Sequence, residues 1–252
     1  MNKALEGNNQ EIVITKILNQ KNHYWNNLPY EKNKTFAIHI TGKKYGKLNQ
    51  EKIQPKADVY FAEGNVEIDF LVKNDFYLNE SHIDLLRLTP IPLSGLSIKL
   101  SNSNYTITKI SPNTFVKIFK NNIFGAGASI YSTKEFEKNE SVIKGWLVEL
   151  SDFENFFSQK LNINRVDLYD KEIMSRIKSY SNKEIEKIII QDKVVSDLIF
   201  KGIGNFEEPY TAHWIIENDE LKENYYIPFT ITTGSGRSKN IFTVVLKPKG
   251  IY

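Results

Sequence analysis

The spacing of apolar residues changes several times along the chain, and each spacing predicts an element. From Asn8 to Gln20, Ile12, Val13, Ile17 and Leu18 recur at helical intervals with Glu11 and Lys16 elsewhere, which predicts an amphipathic helix. Phe36-Ala37-Ile38-His39-Ile40 predicts a short strand. Ala57-Asp58-Val59-Tyr60-Phe61 and Val66-Glu67-Ile68-Asp69-Phe70-Leu71-Val72 predict two more, with Glu63-Gly64-Asn65 as a hairpin turn between them. A helix is expected from Ser81 to Leu88, stopping before Pro90. Gly95-Leu96-Ser97-Ile98-Lys99-Leu100 alternates Leu96, Ile98 and Leu100 with Ser97 and Lys99, so it predicts a strand with one dry and one polar face.

The second half predicts more helix. Ser111-Pro112 opens a short helix that turns Phe115, Ile118 and Phe119 inward, and Gly125-Ala126-Gly127-Ala128-Ser129 reads as a flexible loop. Ser151-Asp152-Phe153-Glu154 and Ser181-Asn182-Lys183-Glu184 are capping-box patterns, each expected to open a helix. Ile173, Ile177, Ile185, Ile188, Ile189, Val195, Leu198 and Ile199 keep helical spacing to Phe200. Strands are expected again at Tyr225 to Thr232 and Ile241 to Lys247. No repeat or linker divides the sequence, so one domain over 1–252 is expected, with 151–200 a helical insertion within it.

Composition narrows the class. Of 252 residues, 40% are hydrophobic and 25% charged, which excludes disorder and collagen-like repeats. The absence of cysteine excludes disulfide frameworks, Cys-ligated zinc, iron–sulfur centres and thiol catalysis. No apolar run approaches the roughly 20 residues that span a bilayer. The start, Met1 to Gln10, is polar and offers no apolar signal-peptide core, so a soluble cytoplasmic protein without a membrane role is expected. A net charge of +3 is compatible with a polyanion partner without requiring one.

Several chemistries drop out. His23, His39, His82 and His213 are scattered without metal-ligand spacing. Thr41-Gly42-Lys43 lacks the upstream glycine of a phosphate loop, Gly125-Ala126-Gly127 lacks the third glycine of a dinucleotide fingerprint, and no GxSxG elbow occurs. What remains is a carboxylate and a lysine presented by two strands, Asp58 and Lys99, with Ser97 on the same side as Lys99. That pair suits metal-assisted phosphodiester hydrolysis. A hard divalent cation takes oxygen ligands, here the Asp58 carboxylate, the Ile98 carbonyl and waters. Lys99 would orient or deprotonate the attacking water and neutralise charge growing on the phosphate. A second constellation is the expected hairpin tip Gly234-Ser235-Gly236-Arg237-Ser238-Lys239. There Arg237 can fork onto guanine or a phosphate, the serines add hydrogen bonds, and Lys239 supplies counter-charge. The basic loop Gly42 to Lys47 is a weaker DNA-contact candidate.

At Pro55-Lys56-Ala57-Asp58-Val59-Tyr60 and Ser94-Gly95-Leu96-Ser97-Ile98-Lys99-Leu100 the chain resembles the PD-(D/E)xK nucleases, particularly type II restriction endonucleases. Gly7-Asn8-Asn9-Gln10-Glu11-Ile12-Val13 is similar to the first helix of that family, whose glutamate often points into the site. The likeness covers roughly the first 100 residues and departs at Ser97, which stands where the family has a second acid; Glu11 or Glu67 would complete the ligand set. The resemblance implies an α/β restriction-endonuclease-like fold, a mixed central sheet flanked by helices with a helical elaboration and a C-terminal β-hairpin. It implies Mg²⁺-dependent, sequence-specific cleavage of double-stranded DNA by a homodimer, and a cognate DNA methyltransferase in the same restriction–modification system. A structure-specific or repair nuclease of the same core, a non-catalytic DNA-binding protein and a protein-interaction domain remain alternatives.

Overall fold

The computed structural model describes residues 3–41, 55–99, 105–224 and 226–249. Where one domain is expected from the sequence, the chain builds two compact units from interleaved stretches: 1–103 with 200–226, and 104–199 with 227–252. The helical stretch 151–200 lies almost wholly in the second. The protein is a mixed α/β protein, and among the described residues no helix is long and apolar enough to cross a membrane.

The first unit is built on a mixed sheet. β1 (Thr35–His39), β2 (Val59–Glu63), β4 (Leu96–Ile98), β6 (Trp214–Glu217) and β7 (Glu220–Glu223) lie side by side in that order, and the short β3 (Thr89–Pro90) pairs with β2. β4 and β6 run parallel, and the other pairs are antiparallel. Alternation along β1 and β2 sends Ala37, Val59 and Phe61 to one core with Leu18, Trp25 and Leu96. Phe36, Ile38, Tyr60 and Ala62 go to another with Leu71 and Leu78. A strand buried on both faces reads as a continuous apolar run, which is how β2 appears in the sequence.

α1 (Lys3–Asn19) packs against β1 with Ile14, Thr15, Leu18 and Asn19 buried, while Val13, expected inward, is 50% exposed. A polar anchor sets this rotation. β1 is an edge strand, whose outward N–H and C=O groups need partners. The Asn19 amide supplies both for Ala37: Nδ2 donates to its carbonyl at 2.8 Å and Oδ1 accepts its N–H at 2.8 Å. Beyond the helix, the Lys21 ammonium donates to the Thr35 carbonyl and lies 4.1 Å from the Trp25 ring centroid and 4.6 Å from that of Phe36. Burial, with Lys32 adding to it, lowers the Lys21 pKa to about 7.

The predicted strand at Val66 to Val72 is instead α2 (Ile68–Lys73), followed by α3 (Glu80–Leu86). A short apolar run does not distinguish strand from helix. Tertiary structure decides it here, because β1, β3 and β4 already occupy both edges of β2 and leave no place for a hairpin partner. The hairpin β6–β7 went unread in the sequence. Its turn is Asn218-Asp219, both at positive φ (52° and 62°), the combination a two-residue type I′ turn requires.

The second unit holds α4 (Pro112–Phe119), α5 (Ile123–Ser129), α6 (Asn139–Gly145), α7 (Leu150–Leu161) and α8 (Lys171–Gln191). With them is the antiparallel sheet β5 (Thr108–Ile110), β9 (Val244–Pro248), β8 (Phe229–Thr233), in that order. α9 (Lys193–Phe200) runs to the boundary with the first unit. The expected loop at Gly125 to Ser129 is the buried helix α5, because its small residues admit close neighbours. A Cβ on Gly125 would meet the Trp146 ring at 2.3 Å, and one on Gly127 would meet Ser181 Oγ at 2.1 Å. The second predicted capping box likewise falls inside a helix: α8 starts at Lys171, where the Asp170 carboxylate accepts from the Glu172 and Ile173 N–H groups, and Ser181 is buried at mid-helix. Gly125→Ala drives a methyl into a fixed indole, so it should lower stability by roughly 1–3 kcal/mol, read as a lower urea midpoint than wild type.

Candidate active site

The ladder between β2 and β4 ends at Asp58. Val59 pairs with Leu96, and the Asp58 N–H donates to the Leu96 carbonyl at 2.8 Å. Past that point the Asp58 side chain bridges to β4: its Oδ2 accepts the Ile98 N–H at 2.7 Å and the Ser97 hydroxyl at 3.2 Å. On the other side of β4 the Lys99 N–H donates to the Ile216 carbonyl at 2.9 Å, which seats the lysine on β6. An extended residue directs its N–H and C=O to the same side, so the Ile98 carbonyl faces the side on which Asp58 lies. Ser97 and Lys99, two residues apart, share a face.

The charges converge on the same point. Burial raises the half-buried Asp58 carboxyl above its ordinary 3.8, and the Glu11 carboxylate raises it further. Lys99, the Ile98 N–H and the Ser97 hydroxyl pull the other way without cancelling the rise. Lys56, a member of the Lys56-Ala57-Asp58 run to which the sequence reading gave no role, also belongs here. Burial and the Lys99 charge bring its pKa down to about 8, against Asp58. Of the two acids proposed to complete the set, Glu11 is the one whose charge reaches Asp58; Glu67 is exposed at the start of α2. The Glu11 Oε2 lies 3.1 Å from His39 Nε2, and His39 Nδ1 lies 3.1 Å from the Tyr77 hydroxyl. Neither His39 nor Tyr77 was singled out from the sequence. The available signal was a histidine at the end of the apolar run Phe36-Ala37-Ile38 on a fully buried strand.

Ser97, in the place of an acid, is 3% exposed and acts as a donor that holds the carboxylate present. The donor set therefore offers two carboxylates and a carbonyl. Among the described residues no three His, Asp, Glu or Cys side chains gather into a metal cluster. Magnesium is commonly held by one or two carboxylates with waters completing an octahedron, so these residues fit it without a third acid. The site lies at strand ends, whereas a groove of about 250 Å³ lined by Tyr30, Pro92, Leu93, Lys201, His213, Trp214 and Glu223 lies toward the opposite end of β6.

The hairpin tip differs from the expectation. Gly234 to Asn240 do join β8 and β9, with a 3₁₀ turn at Ser235–Lys239. Arg237, expected to read a base, is engaged within the chain. It donates to the Ser129 carbonyl at 2.7 Å and the Ile130 carbonyl at 3.3 Å, at the end of α5, and its guanidinium lies 3.7 Å from the Tyr131 ring centroid. Lys178 Nζ reaches the Ile130 carbonyl at 3.4 Å, so two cations meet the negative end of that helix. The glycines serve the chain's own packing: a Cβ on Gly234 would meet Thr243 Oγ1 at 2.1 Å, and one on Gly236 would meet Ile241 at 2.9 Å. Lys239 is exposed. The Ser235 and Ser238 side chains and the loop Gly42 to Lys47 lie outside the described residues.

No protein-family model, curated protein or solved structure matches the chain.

Two stability measurements follow from this geometry. The Asp58 carboxyl is raised in the folded state, so the stability tied to it is complete below its unfolded value of 3.8 and is lost as pH rises through the folded value. Asp58→Asn keeps an acceptor for the Ile98 N–H but cannot ionise. It should melt above wild type at pH 8, with the gap closing toward pH 4 in a series of thermal scans. Arg237→Ala removes charge-assisted bonds to two carbonyls and should cost about 1.5–3 kcal/mol in denaturant titration. Arg237→Lys should recover only part of this, since an ammonium lacks the planar fork.

Proposed function

We propose that this chain is a magnesium-dependent, sequence-specific endonuclease of the PD-(D/E)xK type, cutting double-stranded DNA. In this reading it is a type II restriction enzyme with a restriction-endonuclease-like fold, acting as a homodimer in a bacterial cytoplasm beside a protecting methyltransferase. One observation carries the reading: the Asp58 carboxylate, clamped at the ends of β2 and β4 by the Ile98 N–H and the Ser97 hydroxyl, faces the charges of Lys99 and Glu11.

Asp58, the Ile98 carbonyl and Glu11 would hold the magnesium ion. When bound, the ion supplies positive charge against the scissile phosphate and acidifies a water at neutral pH. Lys99 orients the attacking water toward phosphorus and offsets charge as it grows on the non-bridging oxygens. Lys56 adds a second positive charge beside Asp58, which favours a polyanionic substrate over water in the loaded site. Ser97 and the Ile98 N–H keep Asp58 in one orientation, so little reorganisation is needed during the reaction.

Incubation with phage DNA and magnesium should give discrete fragments. A smear would reassign the protein as a nuclease without sequence specificity, and retardation of DNA without cutting as a DNA-binding protein. Asp58→Ala and Lys99→Ala should each lower the cleavage rate by at least about 10²–10³-fold. Binding of the specific duplex in calcium should survive in both, as measured by gel shift.

A further inference from the structure

His39 and Tyr77, which are in line with Glu11, have no role in the chemistry described above. We infer that His39, itself turned by Tyr77, is a positioning residue that holds the Glu11 carboxylate ready for a divalent cation beside Asp58; the inference rests on the nuclease reading.

The carboxylate fixes the role of one ring nitrogen. A carboxylate only accepts, so the His39 Nε2 carries the proton and donates to Glu11 Oε2 across 3.1 Å. The other ring nitrogen, Nδ1, is in hydrogen-bond contact with the Tyr77 hydroxyl across 3.1 Å. Burial, with the Glu11 and Glu80 carboxylates nearby, pushes the Tyr77 phenol up, so it remains a hydroxyl. Both ring nitrogens are thereby satisfied in an imidazole only 3% exposed.

The backbone allows the ring little movement. His39 pairs with Val59 on one side, and on the other its N–H donates to the Leu78 carbonyl at 3.0 Å beside a bridge to Asn79. Tyr77 immediately precedes that stitched segment. Glu11 comes from the opposite direction, on the helix anchored by Asn19 to Ala37, two residues from His39 on the same strand. Glu11, Thr15 and Asn19 recur every four residues as a polar stripe toward β1, and the Thr15 hydroxyl donates to the Glu11 carbonyl at 2.7 Å. Helix, imidazole and phenol therefore share one frame. A glutamate side chain otherwise has three free torsions, and the imidazole bond selects one arrangement. Hydrogen-bonded partners of metal-ligating carboxylates commonly act in this way.

The test is manganese binding to the full chain without DNA, followed by calorimetry, with circular dichroism confirming the fold of each variant. His39→Ala should weaken Mn²⁺ binding about 10–100-fold. His39→Gln, whose amide N–H reaches where Nε2 stood, should recover to within a few-fold of wild type, and Tyr77→Phe should lose several-fold. If His39 works through Glu11, the double variant His39→Ala/Glu11→Gln should bind no more weakly than Glu11→Gln alone. Losses that add in full, or a His39→Gln no better than His39→Ala, would overturn the positioning role. Should Asp58→Asn abolish Mn²⁺ binding while His39→Ala leaves it unchanged, the nuclease site stands and this inference fails. Should wild type bind no Mn²⁺, both fail. If His39→Ala does not fold, the comparison of His39→Gln, Tyr77→Phe and their combinations with Glu11→Gln decides.

Discussion

The candidate site depends on the 2.7 Å bond from the Ile98 N–H to the Asp58 carboxylate. It forms where the β2–β4 ladder stops, so a side chain takes over from the backbone in joining the two strands. The same bond orients the carboxylate, turns the Ile98 carbonyl toward it and sets the face on which Ser97 and Lys99 emerge. Burial drives the carboxyl toward neutrality, and Lys99 with the two donors opposes that drive without overcoming it. Such a group is a liability for folding, and carboxyls perturbed in this way are concentrated at functional sites.

Around this junction the first unit is organised by polar contacts in places where apolar packing would serve stability alone. The Asn19 amide pairs with both backbone groups of Ala37, and His39 occupies a core position on the same strand. Apolar contacts between α1 and β1 would allow the helix to rotate or slide; a two-point amide bond at one end and an imidazole–carboxylate contact at the other do not. The helix is thus registered on the sheet, and Glu11 is brought beside Asp58.

The second unit uses its cations differently. Arg237 and Lys178 reach the carbonyl end of α5, and Tyr131 receives the guanidinium face. A basic, glycine-rich tip looks the same in sequence whether it meets a nucleic acid or the carbonyls of its own chain. Here the glycines give room for Thr243 and Ile241, and the arginine closes a helix. Lys239 stands exposed at the end of the turn.

Local pattern sufficed for the elements whose neighbours are close in sequence or whose burial is uniform. β1, β2, β4, α1 and the β8–β9 hairpin were readable, because period and turn composition are local properties. The pairing of a carboxylate before one apolar strand with a lysine after another was likewise readable as Asp58 and Lys99. Tertiary structure alone decided the rest. Val66 to Val72 became a helix because the edges of β2 were taken, Gly125 to Ser129 became one because Trp146 and Ser181 needed small neighbours, and Ser181 became a mid-helix contact although its local pattern reads as a cap. Glu11, His39 and Tyr77 stand 28 and 38 residues apart, so only the fold brings them into one hydrogen-bonded line. Sequence spacing carries information about neighbours along the chain, whereas a site assembled across a helix, an edge strand and a loop is specified by packing.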